Sequence, residues 1–289
     1  MGNFAVLALA SFVAQLIDGA LGMGYGVTST SMLLAVGLAP AMVSASVHAG
    51  EVVTTLVSGL SHWRFGNVNF EMTWRLALPG AAGAFAGALF LSSLPVHVAR
   101  PAVAGFLILL GVVVLVRSLR PQRARPRPKP LSPRLLTPLG LAAGFLDATG
   151  GGGWGPVATS TLAARHGDNL RQVIGSVDAS EFLVALSATA GFFLALGWEG
   201  VNPTWVAAIV LGGAVAAPLA AWAVRVVPAQ TLGVAVGATI VLSNGNTVLS
   251  AFGVHTPPLV LLALIATPTL IALAGARLTQ TLRANSRSQ

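Results

Sequence analysis

Leu146 to Thr161, LDATGGGGWGPVATST, and the shorter counterpart Ile17 to Thr30, IDGALGMGYGVTST, decide how this chain folds. Each places an aspartate and then a run of glycines inside an otherwise apolar stretch. Four consecutive glycines cannot continue a stable helix, and Pro156 suits the first position of a helix that resumes beyond them. The surroundings set the medium. Apolar residues make up 55% of the 289 residues, charged ones only 8%, and mean hydropathy is +0.81, against about 25% charged in soluble proteins. The few charges cluster between long apolar stretches, as in a chain of membrane spans and loops. At membrane depth a broken helix is tolerable only where protein or a water-filled cavity surrounds the backbone.

The two segments are copies of one another. A shift of about 130 residues superposes Asp18, Gly24, Gly26 and Thr30 on Asp147, Gly153, Gly155 and Thr159, then Ser46, Val47, Ala49 and Glu51 on Ser176, Val177, Ala179 and Glu181. Val68, Asn69 and Pro95 go on to match Val201, Asn202 and Pro228. This is an internal duplication. Between the copies, Arg117 to Arg134 holds seven of the sixteen basic residues and five prolines, a composition that forbids burial and reads as a cytoplasmic linker. The expected organisation is a first membrane repeat over 1–117, the linker over 118–134, a second repeat over 135–251, and a final span and cytoplasmic tail over 252–289. Helices are expected near 41–61, 76–93, 98–117, 170–196, 203–224, 229–251 and 257–276, with interrupted stretches over 3–36 and 135–165.

Counting charges decides how the interrupted stretches sit. If each is a hairpin entering and leaving on one face, fifteen of the sixteen basic residues fall on the cytoplasmic side and only Arg100 lies outside. If the second stretch crosses once, Arg165, Arg171, Arg225, Arg277, Arg283 and Arg287 move outside and the split becomes nine to seven. The positive-inside rule selects the hairpin. A hairpin plus three spans inverts each repeat relative to the other. The expected fold is thus an all-α integral membrane protein built as an inverted repeat of a re-entrant, Gly-broken helical hairpin and three transmembrane helices, with one extra C-terminal span. Secondary transporters use that architecture, with the site near the midplane where broken helices meet.

The candidate site follows. Gly24, Tyr25, Gly26, Gly152, Gly153, Trp154 and Gly155 lie at the breaks, where free N–H groups of restarting helices attract anions. Thr28, Ser29, Thr30, Ser46, Thr159, Ser160 and Ser176 supply hydroxyls. No Lys or Arg is expected near the middle of a span, so half-helix N-termini and hydroxyls must hold any anion. Asp18, Glu51, Asp147, Asp178 and Glu181, joined by His48, lie in apolar segments at a cost of roughly 2.5–3.5 kcal/mol per charge. Asp18 and Asp147 precede turns rich in N–H groups, which favours a structural cap; Glu51 and Glu181 are favoured for the solute or proton path. Two readings stay open for Ser243-Asn244-Gly245-Asn246, a further helix break or interhelical hydrogen bonding. Trp154 is a candidate wall or gate of the site.

With these features in view, the chain resembles the TauE/SafE family, also called the sulfite exporter or anion permease family, over nearly its whole length. The resemblance rests on IDGALGMGYG and LDATGGGGWGP, each leading into a hydroxyl-rich helix. It implies a carrier of small sulfur-containing anions such as sulfite, thiosulfate or organosulfonates in the bacterial inner membrane. The family's glycine turn is usually followed by a proline; Pro156 meets that pattern, whereas the first repeat has none between Gly26 and Pro40. The expected partners are a small anionic solute and the bilayer, with a homodimer left open. No nucleic acid, metal or cofactor is expected, and the absence of cysteine excludes disulfides, Fe–S clusters and thiol catalysis. An anion channel is the alternative; an intramembrane protease using Asp18 and Asp147 as an acid pair is disfavoured, because both aspartates precede glycine turns.

Overall fold

The computed structural model describes residues 4–15 (apart from 6, 10 and 13), 24–35, 37–119, 132–165, 170–198, 201, 203–223 and 229–254. Asp18, most of the basic linker and the expected span over 257–276 lie outside the described residues. Within them the chain is all helical, without a strand. The described residues between 4 and 15 are helical, and the elements that follow are α1 (Tyr25–Ala35), α2 (Pro40–Arg64), α3 (Phe70–Ser93), α4 (Val96–Leu119), α5 (Pro133–Gly150), a π-helical turn (Gly155–Thr159), α6 (Ser160–Arg165), α7 (Leu170–Leu196), α8 (Pro203–Ala223) and α9 (Ala229–Ala251). Among these, Phe70–Ser93, Val96–Leu119 and Gln172–Leu196 are long and apolar enough to cross a bilayer.

Local chemistry explains most boundaries. Pro40 opens α2 and Pro133 opens α5, where a missing N–H costs nothing. The Ser132 side chain accepts the Arg134 N–H. Asn69 caps α3 by accepting the Met72 N–H at 3.1 Å, so α3 begins six residues before the purely apolar stretch and carries the Glu71–Arg75 ion pair on its first turns. Hydropathy alone could not reach across that charged turn. The Ser243–Asn246 run does not break α9. Asn244 instead donates to Ser31 Oγ of α1 at 2.7 Å, which is the interhelical alternative.

Glycine-mediated contacts fix the directions of the helices. A side chain at Gly83 would strike the Leu141 carbonyl, one at Gly87 the Phe145 carbonyl, and one at Gly144 the Gly80 carbonyl. Residue numbers therefore rise together along α3 and α5, which run parallel at near backbone contact. Thr73 reaches Ser176, Ser187 donates to the Ala81 carbonyl at 2.8 Å, and Gly191 lies on Phe85 and Ala88, so α7 is parallel to both. Since α5 and α7 point the same way, the segment between them must travel back. Gly150 lies against Phe106, and ten residues on Ser160 accepts a hydrogen bond from Arg117 at the end of α4. The chain enters along α5, turns at the glycines and returns alongside α4.

The polarity of the assembly is inverted relative to a soluble protein. Glu51, His48, Asp147, Asn244 and most hydroxyls of α1 are buried, whereas Leu109, Leu194 and Leu211 are each more than half exposed. That is the distribution expected where hydrocarbon is the solvent. Replacing Gly83 or Gly144 by leucine is expected to lower stability by about 1–3 kcal/mol or more, because the obstructing atoms are backbone. The thermal midpoint of the purified, detergent-solubilised protein checks this, with Gly105→Leu, which has open space around it, as the control that stays near wild type.

Candidate functional site

The two glycine breaks touch. A Cβ on Gly26 would sit 2.8 Å from both Gly152 Cα and Glu51 Oε1, and the Thr30 hydroxyl donates to the Gly151 carbonyl. Gly151 caps α5 in the left-handed region at φ 68°, and Gly152 follows at φ 149°. Both are conformations that L side chains rarely adopt, and a Cβ at Gly152 would also enter the backbone of Gly26 and Val27. The tips approach this closely only because neither bears a side chain.

Asp147 organises the break. Its Oδ1 accepts the N–H groups of Gly153 at 2.6 Å and Trp154 at 2.9 Å, while its backbone carbonyl accepts those of Gly151 and Gly152. One residue thus takes the last N–H groups of α5 on its carbonyl and the first of the resuming segment on its carboxylate. Its other oxygen, Oδ2, lies 3.2 Å from His48 Nε2. His48 Nδ1 is 2.8 Å from the Ser44 carbonyl, and a carbonyl only accepts, so Nδ1 carries a proton. The Nε2–Oδ2 contact then needs a second proton between its two atoms. Glu51 Oε2 is 3.9 Å from the same Nε2. His48, Glu51 and Asp147 bring three ligand-type atoms within 4.8 Å of one another, but the proton between His48 and Asp147 and the two backbone N–H groups on Asp147 already use most of that set. The His48–Asp147 hydrogen bond joins α2 to the end of α5, with Glu51 buried beside it.

Beyond the tips the helices restart. The chain resumes helical form at Trp154, two residues before Pro156, and passes through a π turn over Gly155–Thr159, a feature frequent at functional positions. Trp154 is fully buried and donates from Nε1 to the Val177 carbonyl at 3.0 Å. On the other side α1 begins after Gly24, and its first intrahelical bond runs from the Thr28 N–H to the Gly24 carbonyl. Both first turns border a cavity of about 30 Å³, measured as the space that the centre of a water molecule can reach. That is room for a couple of waters.

Of the residues singled out in the sequence, Gly24, Tyr25, Gly26, Gly152, Gly153, Trp154, Gly155, Thr159, Glu51, Asp147, Asp178 and Glu181 line this cavity. The other hydroxyls point elsewhere. Ser46 donates to its own helix at Met42, Ser160 accepts from Arg117, and Ser176 accepts the Asn69 N–H. Thr28 Oγ1 and Ser29 Oγ are buried with no hydrogen-bond partner among the described residues, and neither lines the cavity. Thr54, Thr55 and Ser58 of α2 do line it, although no motif marks them. Ser58 donates to Asp178 Oδ2, and His62 Nε2 lies 3.6 Å from that oxygen. Their signal is helical spacing: Ser44, His48, Glu51, Thr55, Ser58 and His62 follow one another at intervals of four and three residues, a single stripe along one helix face.

Comparison with known proteins bears on this arrangement. The family described as "Sulfite exporter TauE/SafE" matches residues 7–247. The chain is 52% identical over 258 residues to the "Probable membrane transporter protein YtnM" of Bacillus subtilis (strain 168), covering 89% of this chain and 86% of that one. It is also 24% identical over 221 residues to the "Probable membrane transporter protein YjnA" of the same organism, covering 73% of this chain and 85% of the relative. No solved structure matches the chain. A chain with paired helix breaks around a buried polar cavity, matched over most of its length, thus belongs to the sulfite exporter TauE/SafE family, as a multi-pass membrane protein of a transporter family and not an enzyme.

Proposed function

We propose that the protein is a secondary carrier that moves a small, sulfur-containing anion of the sulfite, thiosulfate or organosulfonate class across the bacterial inner membrane by alternating access. The observation that carries this reading is the meeting of two glycine-broken segments at one buried cavity, each presenting the first turn of a restarting helix to it. α1 begins at Tyr25 beside the cavity, and the first turn of a helix favours negative charge. No lysine or arginine lines the cavity among the described residues, so backbone dipoles and hydroxyls are the attractive elements. The sulfur class comes from the family, whose name refers to a sulfite exporter.

Contacts between the halves support an inverted repeat. His48 stacks near Phe192 at 6.1 Å and His62 pairs with Asp178; adding 130 to 48 gives 178, and subtracting it from 192 gives 62, so one contact maps onto the other. Gly111 of α4 meets Ile240 of α9, one turn from Asn244, its counterpart under the shift of 133 that relates Pro95 to Pro228. In both pairs the helices run antiparallel, since Gly59 lies on Ala179 while His48 lies by Phe192, and Leu115 lies by Gly237 while Gly111 lies by Ile240. Equivalent antiparallel helices meeting at or near equivalent residues are what a two-fold axis in the membrane plane produces. The space for water-sized centres is only about 30 Å³ among the described residues, which favours a carrier that closes around its solute over a wide continuous pore. An interior negative by about 100 mV drives a free dianion outward by roughly 4.6 kcal/mol, so export needs no coupled ion and uptake does.

Two outcomes test this reading. Single cysteines in place of Ser132 and Arg165, in a chain that has no cysteine of its own, should react with an impermeant maleimide from the same face of the membrane, and a cysteine in place of Arg100 from the opposite face; labelling of residues 132 and 165 from different faces would remove the re-entrant hairpin. Gly152→Val and Gly26→Val should insert and purify yet exchange labelled thiosulfate in proteoliposomes at a rate roughly 100-fold or more below wild type, since a side chain at either tip separates the half-helices. Undiminished exchange in both variants would place the anion elsewhere.

A further inference from the structure

The polar stripe of α2 passes the cavity and continues along most of the helix. From Ser44 to His62 it covers eighteen residue steps, about 27 Å at 1.5 Å per residue, against a hydrocarbon core of about 30 Å. Its members are bridged by side chains from other helices. His48 Nε2 faces Asp147 Oδ2 and Glu51 Oε2 at 3.2 Å and 3.9 Å, and Ser44 Oγ lies 3.3 Å from His48 Nδ1. Thr55 and Ser58 continue along the cavity wall, Ser58 bonds to Asp178, and Asp178 pairs with His62. The His62 and Asp178 side chains are 28% and 18% exposed, whereas those of His48, Glu51 and Asp147 are at most 3%. The stripe therefore leads from a partly open end into a closed cluster.

The cavity it skirts is lined by four carboxyl groups, Glu51, Asp147, Asp178 and Glu181. Four ionised carboxylates around so small a space would repel an anion. The other charged groups nearby do not relieve this. Glu71 and Arg75 of α3 bond to each other at an exposed position, Arg100 of α4 donates to the Leu38 carbonyl, Arg117 donates to Ser160, His97 is exposed, and α1 and α8 carry no charged residue. Tyr25 is the remaining titratable group facing α2, and its hydroxyl lies 2.8 Å from Ser11 Oγ.

We propose that the α2 stripe, completed by Asp147 and Asp178, carries protons between the His62–Asp178 pair and the cavity, so that the anion and protons move together through one carrier. The stripe is the proton route and the glycine tips are the anion site. His62 exchanges protons with Asp178 at the end of α2 that bears Arg64, Asp178 and Glu181 sit one helical turn apart on α7, and the His48–Asp147–Glu51 cluster shares protons on the far side of the cavity. The inference rests on the anion-carrier reading and fails separately from it.

The test uses purified protein in proteoliposomes with radiolabelled thiosulfate, a dianion at neutral pH, and the membrane potential clamped at zero with potassium and valinomycin. Exchange of thiosulfate at equal pH on both sides reports the anion site alone. A gradient of about one pH unit, acid outside, should then drive accumulation, roughly tenfold for each coupled proton. In His62→Gln, equal-pH exchange should persist while gradient-driven accumulation slows by about tenfold or more. Exchange that continues in wild type with no accumulation under the gradient overturns proton coupling and leaves the carrier reading intact. Accumulation in His62→Gln at the wild-type rate overturns the assigned route. Absence of exchange with thiosulfate, sulfite and organosulfonates alike overturns the carrier reading and this inference with it.

Discussion

A helix that stops inside a hydrocarbon layer leaves N–H and C=O groups that water cannot reach, and each costs several kcal/mol if abandoned. The structure around the second break answers that constraint. The Asp147 carboxylate takes the N–H groups of Gly153 and Trp154, its carbonyl closes the end of α5, and Thr30 from the first half of the chain takes the Gly151 carbonyl. The partners are drawn from both halves. Once the tips must satisfy one another, the two repeats cannot slide independently, and the glycines at 26, 151 and 152 become obligatory at the point of contact. The close α3–α5 and α3–α7 packing then holds the segments that deliver the tips.

Much of this was legible in the sequence because the bilayer simplifies the problem. Among the described residues most long helices fall within a few residues of where hydropathy puts them, and the Asp-then-glycine pattern points to Asp147, whose carboxylate accepts two N–H groups beyond the turn. Where sequence reading fell short, the cause is physical. The start of α3 hides behind a Glu71–Arg75 pair that looks like a loop until the Asn69 cap is seen. Ser46 and Ser176 were grouped with the binding hydroxyls through the duplication, but a hydroxyl can turn back onto its own helix or onto a neighbour's N–H, and both have done so. Side-chain rotation of that kind leaves no periodic trace. Thr55, Ser58 and His62 did leave one, in step with Glu51, and it is visible only when polar rather than apolar residues are tracked around the helix.

Asymmetry between the copies follows from the same contacts. Glu51 and Glu181 occupy equivalent places, yet one turn before them the first half has His48 and the second has Asp178. A base in one half therefore faces Asp147 and holds a proton between two buried groups, while an acid in the other faces a serine and a partly exposed histidine. Duplicated chains begin with two equal sites. Here one side of the cavity has become closed and proton-sharing, and the other open to exchange.

That difference bears on how an anion and a cavity of acids can be reconciled. Backbone dipoles at the half-helix starts offer partial positive charge of about half a unit each, too little to offset several ionised carboxylates at short range. Protons are the counter-charge that the side chains here can bind and release while staying in place, and each one that travels with a dianion removes part of the potential opposing its entry into a negative interior. On the proposed reading the arrangement of tips, acids and histidines is a single device, in which the glycines give the anion somewhere to sit and the acids set the condition under which it does.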